Sequence, residues 1–304
     1  MFEIAAFASP DPVAQGVARV GILFVNAYLV GEPGDAWVLV DTGLPLSTGW
    51  TAAAARERFG DRRPEAIVLT HGHFDHAGSA LELANEWGVP VYAHPDELPF
   101  LTGRADYPPQ DPTMGGAIAQ MARAFPRGGQ DLGRHVRELP ADGSLPQMPG
   151  WRWLHTPGHT PGHVSLFRER DRMLLAGDAV TTMDLDSWSA QVTRSREFDR
   201  PPAPFTPDWP AARRSVEMLA DLQPAIVAAG HGLPIRSDTA ERLRKLAARF
   251  PVPSQGRYVG HPAHYDDGSE RLPPPPPDPV GARLKGCAAG LAAVALLAQL
   301  RKRR

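Results

Sequence analysis

Short apolar runs alternate along this chain with turn-forming residues, and most of the runs end on a polar side chain. Val20 to Val30 and Trp37 to Val40 read as strands. A helix is predicted from Thr48 to Phe59, stopped by Gly60, before another strand-like run, Ala66 to Leu69. Ser79 to Trp87 reads as the next helix, with Gly88 at its end. Further on, strands are predicted at Trp151 to Leu154, Val164 to Phe167, Met173 to Leu175 and Ala225 to Ala229. Thr206-Pro207-Asp208-Trp209 signals a helix through a cap followed by proline, with Val216, Leu219 and Ala220 on its apolar face. A last helix, Asp238 to Phe250, carries Glu241 three places after its cap and an apolar stripe at Leu243, Leu246, Ala247 and Phe250. Two halves, each with strands followed by helices, predict an α/β fold whose stripes form the core.

The polar residues that end the strands carry the chemistry. After Ala66 to Leu69 comes Thr70-His71-Gly72-His73-Phe74-Asp75-His76-Ala77-Gly78, with three imidazoles and a carboxylate inside six positions. Neutral imidazole nitrogen and carboxylate oxygen are preferred ligands of zinc and neighbouring divalent ions, and a strand ending in a tight turn aims several at one point. Three more strand ends deliver the same kinds of group: His159 in a Pro/Gly turn, Asp178 after Met173 to Gly177, and His231 after Ala225 to Gly230. Asp41, in Val40-Asp41-Thr42-Gly43, ends a strand too, and is either an ordinary turn aspartate or a support for the site.

The order His-x-His-x-Asp-His, then His, then Asp, then His resembles the metallo-β-lactamase superfamily over roughly residues 15–240. The resemblance implies an αβ/βα four-layer sandwich. It places one metal on His71, His73 and His159, a second on Asp75, His76 and His231, and Asp178 between them. It also makes Asp41 a residue that orients a ligand histidine. Two divalent ions sharing a water lower its pKa toward hydroxide, which makes hydrolysis the expected chemistry. A bridging hydroxide would attack a carbonyl carbon and Asp75 would accept or relay the proton. The ligand types suit zinc first, with iron or manganese as alternatives.

The stretch His155 to Leu166 is similar to acyl-homoserine lactonases and to hydroxyacylglutathione hydrolase (glyoxalase II). However, Ala179-Val180-Thr181-Thr182-Met183 lacks the Gly-Cys-Gly-Arg segment of glyoxalase II, and β-lactamases of this superfamily generally lack an aspartate where Asp178 stands. Pro201-Pro202 through Trp209 resembles a bacterial branch known simply as metallo-hydrolases. The expected activity is cleavage of a small ester, lactone or thioester. The alternatives are an iron-dependent redox enzyme on the same scaffold, or a metal-bound, non-catalytic module associated with a membrane.

Composition narrows the partners. With 304 residues, 42% hydrophobic and 22% charged, the chain can bury a large core. A net charge of -2, with no basic stripe before Arg301 to Arg304, argues against nucleic acid and for a small-molecule substrate. The single Cys287 and the absence of a secretory pattern in Met1 to Asp11 point to the cytoplasm. His155 and His163 read as structural residues or as supports behind the ligands, and His94 and His135 as surface or loop residues.

Three segments stand apart. Leu98 to Leu132 is broken by proline and glycine around a short Ala117 to Phe125 helix; it is either a surface insertion or a lid whose Met114, Met121 and Phe125 wall the site. Residues 1–250 form the expected catalytic domain, followed by a Pro-rich linker at 251–285 whose His261 and His264 reach the site only if it folds back. Residues 286–304 form an apolar and basic tail, about 22 Å long over Gly286 to Leu300 if helical. It is either a weak membrane anchor, a docked helix or a loose end.

Overall fold

The computed structural model describes residues 9–145, 147–193, 196–266, 269–278 and 280–281. Its first sheet has seven strands in chain order: β1 (Asp11–Ala14), β2 (Val17–Ile22), β3 (Val25–Val30), β4 (Val38–Val40), β5 (Ala66–Val68), β6 (Val91–Ala93) and β7 (Val136–Glu138). Neighbours pair antiparallel as far as β4 and parallel from there on. Parallel pairing requires crossovers. These are α1 (Thr48–Phe59), then α2 (Phe74–Ala77) with α3 (Ala80–Trp87), then the long insertion holding α4 (Leu98–Leu101) and α5 (Ala117–Met121). The second sheet is ordered β11-β10-β9-β8, from β8 (Trp151–His155), β9 (Val164–Arg168), β10 (Met173–Leu175) and β11 (Ile226–Ala228). Helices α6 (Trp188–Thr193) and α7 (Trp209–Asp221) lead into β11, and α8 (Thr239–Ala248) follows it. A small hairpin, β12 (His264–Asp266) with β13 (Ser269–Arg271), comes last among the described residues.

Side-chain alternation along the strands builds the layers. Val38, Val40 and Val68 point from the first sheet onto Val164, Leu166, Met173, Leu175 and Ala228 of the second. Their neighbours Leu39 and Ile67 turn the other way, onto Ala54 and Phe59 of α1 and Leu83 of α3. On the far side Phe167, Leu174 and Val227 pack under Trp209, Val216 and Leu219 of α7 and Leu243 of α8. Strands covered on both faces carry no polar alternation, which is why the central ones read as unbroken apolar runs. The result is a four-layer αβ/βα sandwich, as the sequence predicts.

Several local expectations differ from what forms. Val20 to Val30 is a hairpin rather than one strand; it turns at Leu23, whose φ of 57° gives no glycine or asparagine signal. The cap of α7 is Asp208, accepting from Ala211 N–H at 2.9 Å, two residues beyond the predicted Thr206, with Pro210 rather than Pro207 inside the first turn. At α8, Asp238 takes a left-handed φ of 53° and its side chain makes no cap bond. Residues 251–263 were expected to be linker, yet Tyr258 and Ala263 are buried with Trp209 and Phe250 in the second-half core. The expected tail, 286–304, and Cys287 lie outside the described residues. Among the described residues no helix is long and apolar enough to cross a membrane.

Leu166 is fully buried between the two sheets. Leu166→Ala is expected to cost about 2–5 kcal/mol, measured by denaturant unfolding in the presence of chelator so that bound ligands do not mask the loss.

Candidate metal centre

The loops at one edge of both sheets bring the seven predicted ligand residues together. His71, His73 and His159 form one group, and Asp75, His76 and His231 another, with ligand atoms in each group within 4.8 Å of one another. Asp178 lies between them. Its Oδ2 is 3.5 Å from His159 Nε2 and 3.1 Å from His231 Nε2, and its Oδ1 is 3.6 Å from His76 Nε2. His73 Nδ1 and His159 Nε2 approach to 2.9 Å, and Asp75 Oδ2 is 3.5 Å from His231 Nε2.

The rings are aimed by bonds on their far sides. Asp41 Oδ2 sits 2.9 Å from His76 Nδ1, and the same carboxylate accepts from the Thr70 N–H and hydroxyl, each at 2.8 Å. Thr70 Oγ1 in turn lies 3.1 Å from His71 Nδ1, and the Phe24 carbonyl accepts from His231 Nδ1 at 2.8 Å. Asp41 does this from a left-handed backbone, φ 58°, which aspartate tolerates better than most side chains. The three Nε2 atoms of His71, His76 and His231 therefore face inward.

Buried polar atoms normally have partners, and those without one mark a function. Here His71 Nε2, His76 Nε2 and Asp178 Oδ1 are buried with no hydrogen-bond partner. Three orphaned donor atoms of the right chemical type, converging on one point, fit a divalent metal centre. The protonation states fit as well. Burial, with neighbouring imidazoles adding to it, holds His71 and His159 well below their usual range and His73 down to about 3, so these three rings are neutral, the state a metal needs. Burial also opposes charge on His76 and His231, but the carboxylates Asp178 and Asp75 outweigh it and raise both. Burial would raise Asp178, yet His231 and His76 hold it well below the usual carboxylate range.

Above the centre opens a cavity of about 850 Å³, counted to its mouth. His73, Asp75, His159, Asp178 and His231 line its floor, and Phe24, Phe74, Phe125 and Phe205 are among its walls. The rings of Phe125 lie 5.2 Å from Phe74, 6.1 Å from Phe24 and 6.1 Å from Phe205. The insertion thus walls the site with Met121 and Phe125, while Met114 packs on the second-half core instead. Neither His261 nor His264 lines this cavity; Tyr258, between Pro251 and those histidines, does.

Sequence reasoning missed some supports. His163, expected to be structural or a support behind the ligands, is buried and accepts from the Asp178 N–H at 2.8 Å, holding the backbone that carries the central carboxylate. Asn26 donates to the carbonyls of Ala229 and Gly232, bracketing His231. Glu97 is fully buried beside the ligand loops. In sequence, Pro95-Asp96-Glu97 carries only the signal of an acidic first turn, which gives no hint of burial. His155 and His94 stack at 4.2 Å away from the centre.

Comparison with known proteins agrees with this geometry. Residues 20–231 match the family model of the metallo-beta-lactamase superfamily. The chain is 42% identical over 244 residues to the probable metallo-hydrolase YflN of Bacillus subtilis (strain 168), covering 77% of this chain and 92% of that one. It is 27% identical over 208 residues to the probable metallo-hydrolase YybB of the same organism, covering 68% and 80%. Among solved structures, TTHA1623 in a di-iron-bound form is similar at 30% identity and a TM-score of 0.50, covering 74% of this chain and 96% of that one. With its fold, its strand-end ligands and its matched segment in agreement, the chain belongs to the metallo-beta-lactamase superfamily.

Proposed function

We propose that this protein is a metal-dependent hydrolase that cleaves a small ester, lactone or thioester carrying an apolar group. The observation that carries this reading is the convergence of buried, partnerless ligand atoms on the floor of an aromatic-walled cavity. His71, His73 and His159 would hold one ion, Asp75, His76 and His231 the other, with Asp178 shared. Bound there, two divalent ions supply a water acidified toward hydroxide near neutral pH and a Lewis acid for the carbonyl under attack. Asp75 lines the cavity and is the carboxylate placed to take up the proton. The phenylalanine walls exclude water and hold the apolar part of the substrate over the floor. YflN, named a probable metallo-hydrolase, supports the hydrolytic class.

Zinc is the proposed metal, since imidazole and carboxylate ligands suit it. The di-iron form of TTHA1623 is the specific observation that favours a second reading, an iron centre with redox chemistry. Metal analysis of protein purified without added metal, paired with a panel of aryl esters, lactones and thioesters, separates the two. About two zinc ions per chain with turnover on the panel support the hydrolase; bound iron with no hydrolysis favours the redox enzyme.

Three outcomes are expected. Chelator should abolish turnover, and Zn2+ should restore it. Asp178→Ala should weaken metal binding by more than the roughly 10–100-fold that loss of an outer partner costs and remove nearly all turnover, while circular dichroism stays that of the parent. Retained full activity would show that Asp178 does not serve both ions. Phe125→Ala should lower kcat/KM roughly 10-fold or more for esters of long or aromatic acids and leave acetates nearly unchanged; equal losses on both would remove Phe125 from the acyl wall.

A further inference from the structure

Glu97 is a carboxylate with no exposed surface, and no cation pairs with it among the described residues. Removing such a group from water costs several kcal/mol unless its oxygens are well satisfied. Here both are. Oε2 accepts from the Gly72 N–H at 3.0 Å and from the Tyr107 hydroxyl. Oε1 accepts from the Thr160 hydroxyl at 2.5 Å and from the Gly162 N–H at 2.9 Å. Tyr107 closes the arrangement by accepting from the Gly72 N–H at 3.0 Å, with its ring 4.5 Å from that of His73.

The partners are placed unequally around the metal centre. Gly72 lies between His71 and His73, and Thr160 and Gly162 follow His159. A single buried carboxylate therefore joins the two loops that supply all three histidines of one group. Close approach is required on both sides. A Cβ on Gly72 would meet Tyr107 Oη at 2.5 Å, and one on Gly162 would meet Glu97 N at 2.7 Å. The other group is held by Asp41 at His76 and by the Phe24 carbonyl at His231, and Asp41 reaches His71 as well, through Thr70.

We propose that Glu97 is a positioning residue for one half of the centre, fixing the loops of His71, His73 and His159 through Gly72, Tyr107, Thr160 and Gly162, and making no bond to the residues that hold His76 and His231. The inference rests on the metal-centre reading above. A glutamine at 97 keeps the size of the side chain but turns an N–H2 toward one backbone N–H and one hydroxyl, so the N–H contact becomes a clash of like polarity and the hydroxyl must turn to accept. Glu97→Gln should then weaken one ion and spare the second. Tyr107→Phe, which keeps the carboxylate and removes one donor, should weaken the same ion by less.

The test is titration of chelator-stripped full-length protein with Co2+, read by its visible absorption and by competition with a chelator. Two ions are expected for the parent. In Glu97→Gln one affinity should fall about 10–100-fold, with the other within about twofold. In a His159→Ala background, which already lacks a donor of that half, adding Glu97→Gln should change the remaining affinity by no more than about twofold. Two unchanged affinities in both Glu97→Gln and Tyr107→Phe, beside a parent that binds two ions, would overturn this inference alone. Equal weakening of both ions would overturn it too, because it would make Glu97 a support of the whole fold. A parent that takes up no Co2+ would overturn the metal-centre reading and this inference with it. Should Glu97→Gln fail to fold, Tyr107→Phe in the parent and His159→Ala backgrounds gives the same discrimination.

Discussion

Five histidines and two carboxylates cannot be packed side by side unless their ring nitrogens and oxygens have somewhere to point. That demand organises the site end of the molecule. Several inward-facing atoms have no protein partner, and the residues that hold the rings and their loops from behind come from distant parts of the chain. Asp41 ends β4, Phe24 sits at the β2–β3 hairpin tip, His163 begins β9 and Glu97 precedes α4. The two sheets must therefore be in register before the centre exists. The inter-sheet layer of Val40, Val68, Leu166 and Leu175 sets that register.

The cluster of candidate ligand residues was legible in the sequence because its chemistry is local. His71, His73, Asp75 and His76 fall within one turn, and His159, Asp178 and His231 each follow an apolar run. The layered fold was legible for a similar reason, since strands buried on both faces appear as unbroken apolar stretches. What stayed hidden depends on the third dimension. Glu97 resembles any acidic residue at a helix start, and only the approach of the Gly72 and Thr160 loops gives it a role. The Leu23 turn has none of the usual glycine or asparagine chemistry, because flanking strand pairing from Val17–Val30 to Ile22–Val25 imposes it. Residues 251–263 look like linker in composition, yet the apolar surface left open by α7 and α8 recruits Tyr258 and Ala263.

Tyr107 borders the cavity, and its placement invites a role as proton donor. Its bonds argue otherwise. The hydroxyl proton goes to Glu97 and the lone pair takes the Gly72 N–H, while burial and the adjacent Glu97 carboxylate push the phenol well above its ordinary range.

Phe24 plays two parts through two different portions of one residue. Its carbonyl accepts from His231, and its ring, 6.2 Å from the His231 ring, forms part of the cavity wall. Every amino acid brings the same carbonyl, whereas the ring is particular to this sequence. Position 24 can therefore drift in shape and polarity across generations, altering which molecules the pocket admits, while the histidine behind it remains held. Asp41 and Glu97 lack that freedom because they act through their side chains. The hairpin tip is where a lineage of such proteins could change its diet without first losing its chemistry.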